Sequence, residues 1–296
     1  MLNIDSDINS YQSAADYVAL CEKRFEKMLT NTVTSVLSPV APKIITLSGP
    51  TCSGKTTTAA KLTDVIEILG YRARVLSIDD FYKDNLRFED KPDFESAAAI
   101  DLDYFGECAE KLFSGKKVYL PTFDMKKGNR TALTEYYPHE EDIYIFEGIQ
   151  AVYPEITSHL APFGYKSIFI SVAEDVTVNG VFFSKNEIRL IRRLVRDDRF
   201  RATGVEKTFS MWDNVRANEE KNIFPNAEKS DIKINSFLPY EILFIGKYLL
   251  PLLDGFVSSE YSDRASKLAD KVKKVTNQYI TEDMIPFRSV FREFIG

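Results

Sequence analysis

The stretch IITLSGPTCSGKTTTAA, residues 44–60, decides the fold of this chain. Residues 44–47 are apolar or β-branched and predict a buried strand, and the apolar positions after Thr57 recur at helical spacing until Gly70. Between the two, residues 49–56 match G-x-x-x-x-G-K-[ST], the phosphate-binding P-loop. A strand before the motif and a helix after it are the context that this motif requires, which disfavours an ordinary glycine-rich turn.

The loop residues predict a nucleotide site with Mg²⁺. Glycines let the backbone curl so that amide N–H groups point at phosphate oxygens, and the following helix adds its positive end. We expect Lys55 to reach the β- and γ-phosphates and the hydroxyl of Thr56 to bind Mg²⁺. The expected cofactors are therefore ATP (or GTP) and Mg²⁺. The predicted nucleotide-binding residues are Gly49, Thr51, Cys52, Ser53, Gly54, Lys55, Thr56 and Thr57.

Composition restricts the class of protein. The 296 residues are 44% hydrophobic and 28% charged, which is typical of a soluble globular chain. The formal net charge of -6 argues against nucleic-acid binding. Three well-separated cysteines show no metal-ligand spacing and suit a reducing compartment. No apolar run is long enough to span a bilayer and no signal peptide is evident, so we expect a cytoplasmic location without a membrane partner.

Strands and helices alternate along the chain. This alternation predicts a parallel sheet covered by helices on both faces. Residues 83–95 are polar and predict a loop. Strands are expected at 73–78, 117–120, 142–146, 166–171 and 231–235, and helices at 12–37, at 96–114 and over most of 240–296.

Asp79 follows the strand at 73–78, at the edge of an α/β sheet where ligands bind. Transfer of a phosphoryl group to a hydroxyl needs a carboxylate near the attacking oxygen. Alternation along a strand would point Asp79 and the neighbouring Asp80 in opposite directions. We therefore interpret Asp79 as a candidate catalytic base. Helix capping or ordering of Mg²⁺ is the alternative for this aspartate.

Glu147 ends the apolar strand 142–146, which is the Walker B position. An acidic residue there typically holds the magnesium ion, directly or through water. A plain strand-end glutamate is the alternative.

Arginines recur on one face of a predicted helix after Ser184. The guanidinium group suits phosphate oxygens, so this helix can act as a lid that closes over the nucleotide and stabilises transition-state charge. A solvated basic surface is the alternative. The residues at this spacing are Arg189, Arg192, Arg193 and Arg196.

The segment Pro121–Arg130 gives a weaker signal. Phe123 followed by polar groups in a loop can stack on a base and grip a sugar, although a core phenylalanine is the default interpretation.

Together these residues resemble the uridine kinase (uridine–cytidine kinase) branch of the phosphoribulokinase/uridine kinase family. The resemblance covers about residues 43–240, and the later residues to 296 are similar to a bacterial-type uridine kinase-like subgroup. It rests on residues 49–57, Ser77–Tyr82, Pro121–Asp124 with Arg130, Phe146–Ile149 and Arg189–Asp197.

The resemblance implies roles for individual residues. It implies that Asp79 activates the nucleoside 5′-hydroxyl and that Glu147 accompanies magnesium. Asp90 aligns with an acidic residue that holds ribose hydroxyls. Phe123 takes the position of the residue that contacts the pyrimidine, and Arg130 that of the arginine in the base-recognition loop. Arg193 and Arg196 match arginines of the lid and the substrate site. Phe123 lacks the hydroxyl of the usual tyrosine, and Gly128 stands where relatives have a histidine.

The fold expected is a P-loop three-layer α/β fold with a parallel sheet, a helical lid and extra N- and C-terminal helices. We expect an N-terminal extension at 1–42, a kinase core at 43–240 with its lid at about 185–221, and a C-terminal helical segment at 241–296. The implied reaction is phosphorylation of uridine or cytidine by ATP.

The open alternatives are a kinase of another small alcohol, similar to phosphoribulokinase or pantothenate kinase, and a regulatory nucleotide-binding protein without turnover. A small-molecule nucleoside is the expected partner, and a homo-oligomer stays open.

Overall fold

The computed structural model describes residues 1–4, 8–84 and 94–296. The strands, in chain order, are β1 (Leu2–Ile4), β2 (Ile44–Ser48), β3 (Arg72–Ser77), β4 (Val118–Asp124), β5 (Asn129–Tyr136), β6 (Asp142–Glu147), β7 (Lys166–Ser171), β8 (Val176–Val178), β9 (Val181–Phe183) and β10 (Ile232–Asn235). The helices are α1 (Tyr11–Leu37), α2 (Lys55–Ile68), α3 (Leu102–Phe113), α4 (Pro154–Leu160), α5 (Lys185–Arg201), α6 (Val205–Asn218), α7 (Phe224–Ala227), α8 (Glu241–Phe244), α9 (Gly246–Leu253), α10 (Ser262–Val275) and α11 (Arg292–Ile295).

A parallel five-stranded sheet forms the centre, in the order β10-β7-β2-β6-β3. All five residues of β2 are buried, as the apolar run in the sequence predicts. Glu147 pairs in register with Leu47 on one side and Ser77 on the other. The carboxyl ends of the three strands therefore meet at one edge of the sheet.

Alternating side chains of the sheet enter two different apolar cores. Ile143 and Ile145 lie in a core with α1, α2, α5 and the C-terminal segment, whereas Tyr144 and Phe146 lie in a core with α3 and α4. Because each face of the sheet is covered by helices, the three-layer α/β P-loop fold is confirmed.

The long helix α1 confirms the helix predicted at 12–37. The Ser10 hydroxyl accepts a hydrogen bond from the Ser13 amide, and the Ser13 side chain accepts one from the Ser10 amide, so the two residues form a capping box. The apolar face of α1 joins the core that also holds α2. The structure does not test the division of the chain at residues 42/43 and 240/241, which stays a prediction.

Two features differ from the sequence expectation. The segment Pro121–Arg130, expected as a loop, forms the turn and the adjoining strand ends of an antiparallel hairpin, in which β4 runs to Asp124 and β5 begins at Asn129. The helix expected at 96–114 begins only at Leu102, because Asp101 caps it by accepting from the amide of Tyr104 at 3.2 Å.

A second, three-stranded sheet of β1, β8 and β9 was not predicted. Its strands are three residues long, too short for a period-two pattern, and Asn179-Gly180 forms the tight turn with positive φ angles. Throughout the described ranges, every helix is too short or too polar to cross a membrane.

Candidate active site

The loop between β2 and α2 has the backbone shape of a phosphate cradle. Cys52 and Gly54 both have positive φ angles, 58° and 86°, which turn the chain sharply before the helix. A Cβ on Gly49 would lie 2.1 Å from the carbonyl oxygen of Ile170, so only glycine fits between the loop and β7. Strain of this kind at Cys52 is typical of ligand-binding loops.

The first residues of α2 face the cradle. Lys55 is half-buried, and its Nζ donates to the carbonyl of Pro50 at 3.2 Å. Thr56 is exposed. The amide of Thr57 is bonded to a carboxylate from the far end of the chain, that of Glu293. The eight predicted nucleotide-binding residues thus form one continuous loop and helix start, and their role stays a prediction.

Two arginines of α5 hold the loop from behind. Nε of Arg189 donates to the carbonyl of Thr51 at 3.1 Å, and Nη1 of Arg192 donates to the carbonyl of Cys52 at 3.0 Å. Each guanidinium group therefore fixes one backbone carbonyl in the strained part of the loop.

The charges of these arginines are balanced by buried carboxylates. Arg192 makes a two-pronged pair with Glu241, at 3.0 Å and 2.8 Å, and Arg189 pairs with Glu219. All four side chains are essentially without solvent contact. The predicted arginine face is thus present. Two of its members are buried and brace the loop, whereas the arginines of a solvated basic helix would lie on an open surface.

The other two arginines of the face share Asp197. Nε of Arg193 lies 3.2 Å from Oδ2, and Nη2 of Arg196 lies 2.7 Å from Oδ1. Both guanidinium groups are buried. Their predicted catalytic role, the substrate contact of Arg193 and the lid at about 185–221 all stay predictions. Arg201, one turn further, interacts electrostatically with Asp79.

Asp79 lies in a 3-10 turn, Ile78–Phe81, that follows β3. Although the residue is open to solvent on one side, removal of water by the surrounding protein raises the pKa of its carboxyl, and the charge of Lys55 opposes that effect. Asp80 instead accepts from the amide of Phe123 at 3.0 Å. The two aspartates therefore have different surroundings, but they lie in a 3-10 turn after β3 ends and do not alternate along a strand as the sequence predicts.

Glu147 is buried at the end of β6. Burial raises the pKa of its carboxyl to about 7, against the opposing charge of Lys55. The carboxylates of Asp79, Glu293 and Asp80 add to the increase. Glu147 is consequently surrounded by other carboxylates, and Lys55 is the cation that offsets their charge.

The donor set at this edge fits a magnesium ion. The hydroxyl of Thr56 and the carboxylate of Glu147 are hard oxygen ligands, and Mg²⁺ on a nucleotide takes most of its other ligands from phosphates and water. In the described ranges, His, Cys, Asp and Glu do not form a group of three able to hold a metal by themselves.

The hairpin brings Phe123 next to the turn that carries Asp79. The ring of Phe123 is buried and meets the ring of Tyr82 edge-on, with 5.4 Å between centroids. The hydroxyl of Tyr82 donates to the carbonyl of Phe94 at 2.6 Å and accepts from the Gln150 amide at 3.2 Å. This packing agrees with the core interpretation of Phe123, and a contact with a base stays a prediction.

Arg130 is held on three sides. Its amide donates to Asp84 at 2.6 Å, Nη2 lies 3.0 Å from Asp101, and the guanidinium stacks 4.6 Å from the ring centre of Tyr104. Asp101 therefore caps α3 and positions this arginine at once. Asp90, the expected ribose ligand, lies outside the described residues.

Sequence reasoning missed Glu293 and Arg201 as neighbours of the site. Glu293 contacts Thr57 across 236 positions of sequence, and no local pattern signals such a pairing. Arg201 belongs to the same basic helix and lies eight positions after Arg193, so its place in the basic run was a usable signal.

A P-loop on a parallel sheet, with a lysine, two strand-end carboxyls and a basic helix around it, defines an ATP-dependent phosphotransferase. Residues 44–241 match the Phosphoribulokinase / Uridine kinase family, and the chain belongs to that family.

Two similar proteins are named uridine kinases. That of Saccharomyces cerevisiae is 28% identical over 202 residues, which cover 66% of this chain and 37% of the yeast protein. That of Staphylococcus aureus is 28% identical over 200 residues, covering 66% of this chain and 87% of the relative. A solved structure from Bacillus stearothermophilus, described as a possible uridine kinase, is 16% identical, covers 72% of this chain and 98% of that chain, and has a TM-score of 0.47.

Proposed function

We propose that this kinase transfers the γ-phosphoryl group of ATP (or GTP) to the 5′-hydroxyl of uridine or cytidine. The observation that carries the proposal is the placement of Asp79, in the turn after β3, and Lys55, at the start of α2, where the charge of Lys55 acts on the Asp79 carboxyl. Two relatives of the chain are named uridine kinases. A base beside the phosphate-binding lysine is the arrangement that phosphoryl transfer to an alcohol needs.

In this mechanism the loop amides and Lys55 bind the phosphates. Thr56 and Glu147 would hold Mg²⁺, which when bound would neutralise charge on the phosphate oxygens. Asp79 accepts the proton of the 5′-hydroxyl while the oxygen of that hydroxyl forms a bond to the γ-phosphorus. The bond from the γ-phosphorus to the β-phosphate oxygen breaks, which releases ADP. Positioning and electrostatics supply most of the rate.

The acceptor side of the proposal uses the hairpin. Arg130 and Phe123 contact the pyrimidine, Asp90 holds the ribose hydroxyls, and Arg193 and Arg196 neutralise developing charge. These roles rest on the family resemblance.

A second candidate is a kinase of another small alcohol. Phe123 offers no hydroxyl, and Gly128 offers no side chain in the turn of the hairpin, so the usual polar groups that read the base are missing. A site without such groups discriminates weakly between acceptors.

Product identity tests the proposal. Wild-type protein with ATP and uridine or cytidine is expected to give the nucleoside 5′-monophosphate, whereas 5′-deoxyuridine, which lacks the attacking oxygen, stays unchanged. Lys55→Ala serves as the inactive control. Phosphorylation of 5′-deoxyuridine, or of non-nucleoside alcohols alone, would contradict it.

A further inference from the structure

Residues 289–296 pack directly against the phosphate-binding loop. The side chain of Val290 lies over Gly54, where a Cβ would be only 2.4 Å from Cγ2 of the valine. The guanidinium carbon of Arg192, the same residue that braces the loop, lies 4.6 Å from the ring centre of Phe294. The apolar side chains of the segment are fully buried: Val290, Phe291, Phe294 and Ile295. The segment is therefore an anchored neighbour of the nucleotide site.

Glu293 is the one acidic residue of this segment, and its carboxylate lies at the start of α2, where an anionic ligand is favoured. Oε2 of Glu293 accepts from the amide of Thr57 at 3.3 Å and from the Thr57 hydroxyl at 3.2 Å. Thr57 is the third residue of α2, and the next amide, that of Thr58, already donates to the carbonyl of Gly54. The carboxylate thus uses a free donor of the first helical turn, where an anion is favoured by both the amide and the helix dipole.

The charge of Glu293 also acts on the rest of the cradle. It adds to the negative charge around Glu147, whose carboxyl, like that of Asp79, interacts electrostatically with Lys55. A phosphate chain that enters this pocket meets that negative charge, and it also needs the donors of Thr57. Arg196 interacts electrostatically with Glu293 as well, so a cation stands nearby.

We propose that Glu293 is a built-in competitor of the nucleotide: its carboxylate occupies the Thr57 phosphate position, and a nucleotide binds only when that carboxylate withdraws. The inference rests on the phosphate-binding role of the loop in the proposed function and is independent of the identity of the acceptor. Binding of nucleotide is consequently weaker than the loop alone would allow.

Equilibrium binding of a non-hydrolysable ATP analogue with Mg²⁺, without any acceptor, tests the proposal. Glu293→Gln keeps the size of the side chain and removes its charge, and we expect it to lower the Kd by about 10-fold, as expected for loss of one charge-assisted contact that the ligand must displace. Glu282→Gln is the matched control, because Glu282 lies in the same C-terminal region but pairs with Arg292. Its Kd should stay within about twofold of wild type.

A purely structural role gives a different result. If Glu293 serves only to stabilise the start of α2, Glu293→Gln lowers the Tm of the nucleotide-free protein and leaves the Kd unchanged or higher, which would overturn the proposal. Absence of nucleotide binding in wild type, Glu293→Gln and Lys55→Ala alike would overturn the nucleotide assignment itself and the competitor with it.

Discussion

The guanidinium of Arg192 donates to the carbonyl of Cys52 at 3.0 Å, the residue at which the phosphate-binding loop takes its left-handed turn. The same guanidinium also bonds Glu241 and Ser236, so a buried network behind the loop fixes the direction of one of its peptide groups. With the carbonyl held on the α5 side, the loop is preorganised before any ligand binds.

Arg192→Met should cost about 3–5 kcal/mol in free energy of unfolding, because it leaves Glu241 buried and unpaired. The measurement is urea unfolding of the nucleotide-free protein. Lys267→Met, which breaks an exposed pair with Asp263, is the matched control and should change stability by no more than about 0.5 kcal/mol. Equal effects of the two substitutions would contradict a structural role for the buried pair of Arg192 and Glu241.

Asp79→Asn should lower kcat by about 10²-fold or more, because the amide cannot accept the proton of the attacking hydroxyl. The Kd for ATP should change far less than kcat, since the side chain keeps its size and the loop is untouched. Steady-state kinetics and equilibrium binding check the two parts. Unchanged turnover would remove Asp79 from the mechanism.

Arg130→Met should raise the KM for the acceptor and leave the KM for ATP unchanged, since it removes the hairpin guanidinium that Asp101 positions and that the proposal assigns to the acceptor. Lys127→Met removes a neighbouring, exposed cation of the same hairpin and is the control. A change confined to the KM for ATP would show that the hairpin does not bind the acceptor.

Asp142 makes stability depend on acid pH. Burial alone pushes the pKa of its carboxyl up, but hydrogen bonds from Tyr136 and the His139 amide and the charge of Arg72 outweigh that effect and lower it. The pKa of Asp142 in the folded protein lies below the unfolded value of 3.8. The stability that the ionised carboxyl supplies is therefore complete above pH 3.8 and is lost as the pH falls through the folded pKa.

Asp142→Asn should therefore destabilise the protein at neutral pH, and the difference from wild type should shrink on acidification below pH 3.8. Unfolding by urea across an acid pH series measures this. A difference that is the same at every pH would contradict the assignment.

Local patterns were sufficient for the sheet and the loop, because strand, motif and helix follow one another within residues 44–69. The arginine face was also predictable from the spacing of its arginines along the helix, but the part of the fold that it contacts was not. Its balancing carboxylates, Glu219 and Glu241, are 30 and 49 positions from their arginines, and only the folded chain brings them together. The hairpin was missed because one of its strands, β5, is exposed and lacks alternating apolar residues.

The central claim is that this P-loop site phosphorylates a pyrimidine nucleoside. Coupled ATP turnover against a panel of nucleosides and small alcohols, with Lys55→Ala as the blank, tests it most directly. We expect turnover that depends on uridine or cytidine and vanishes in the Lys55→Ala variant. ATP binding without turnover on any acceptor of the panel would contradict the account and favour a regulatory nucleotide-binding protein.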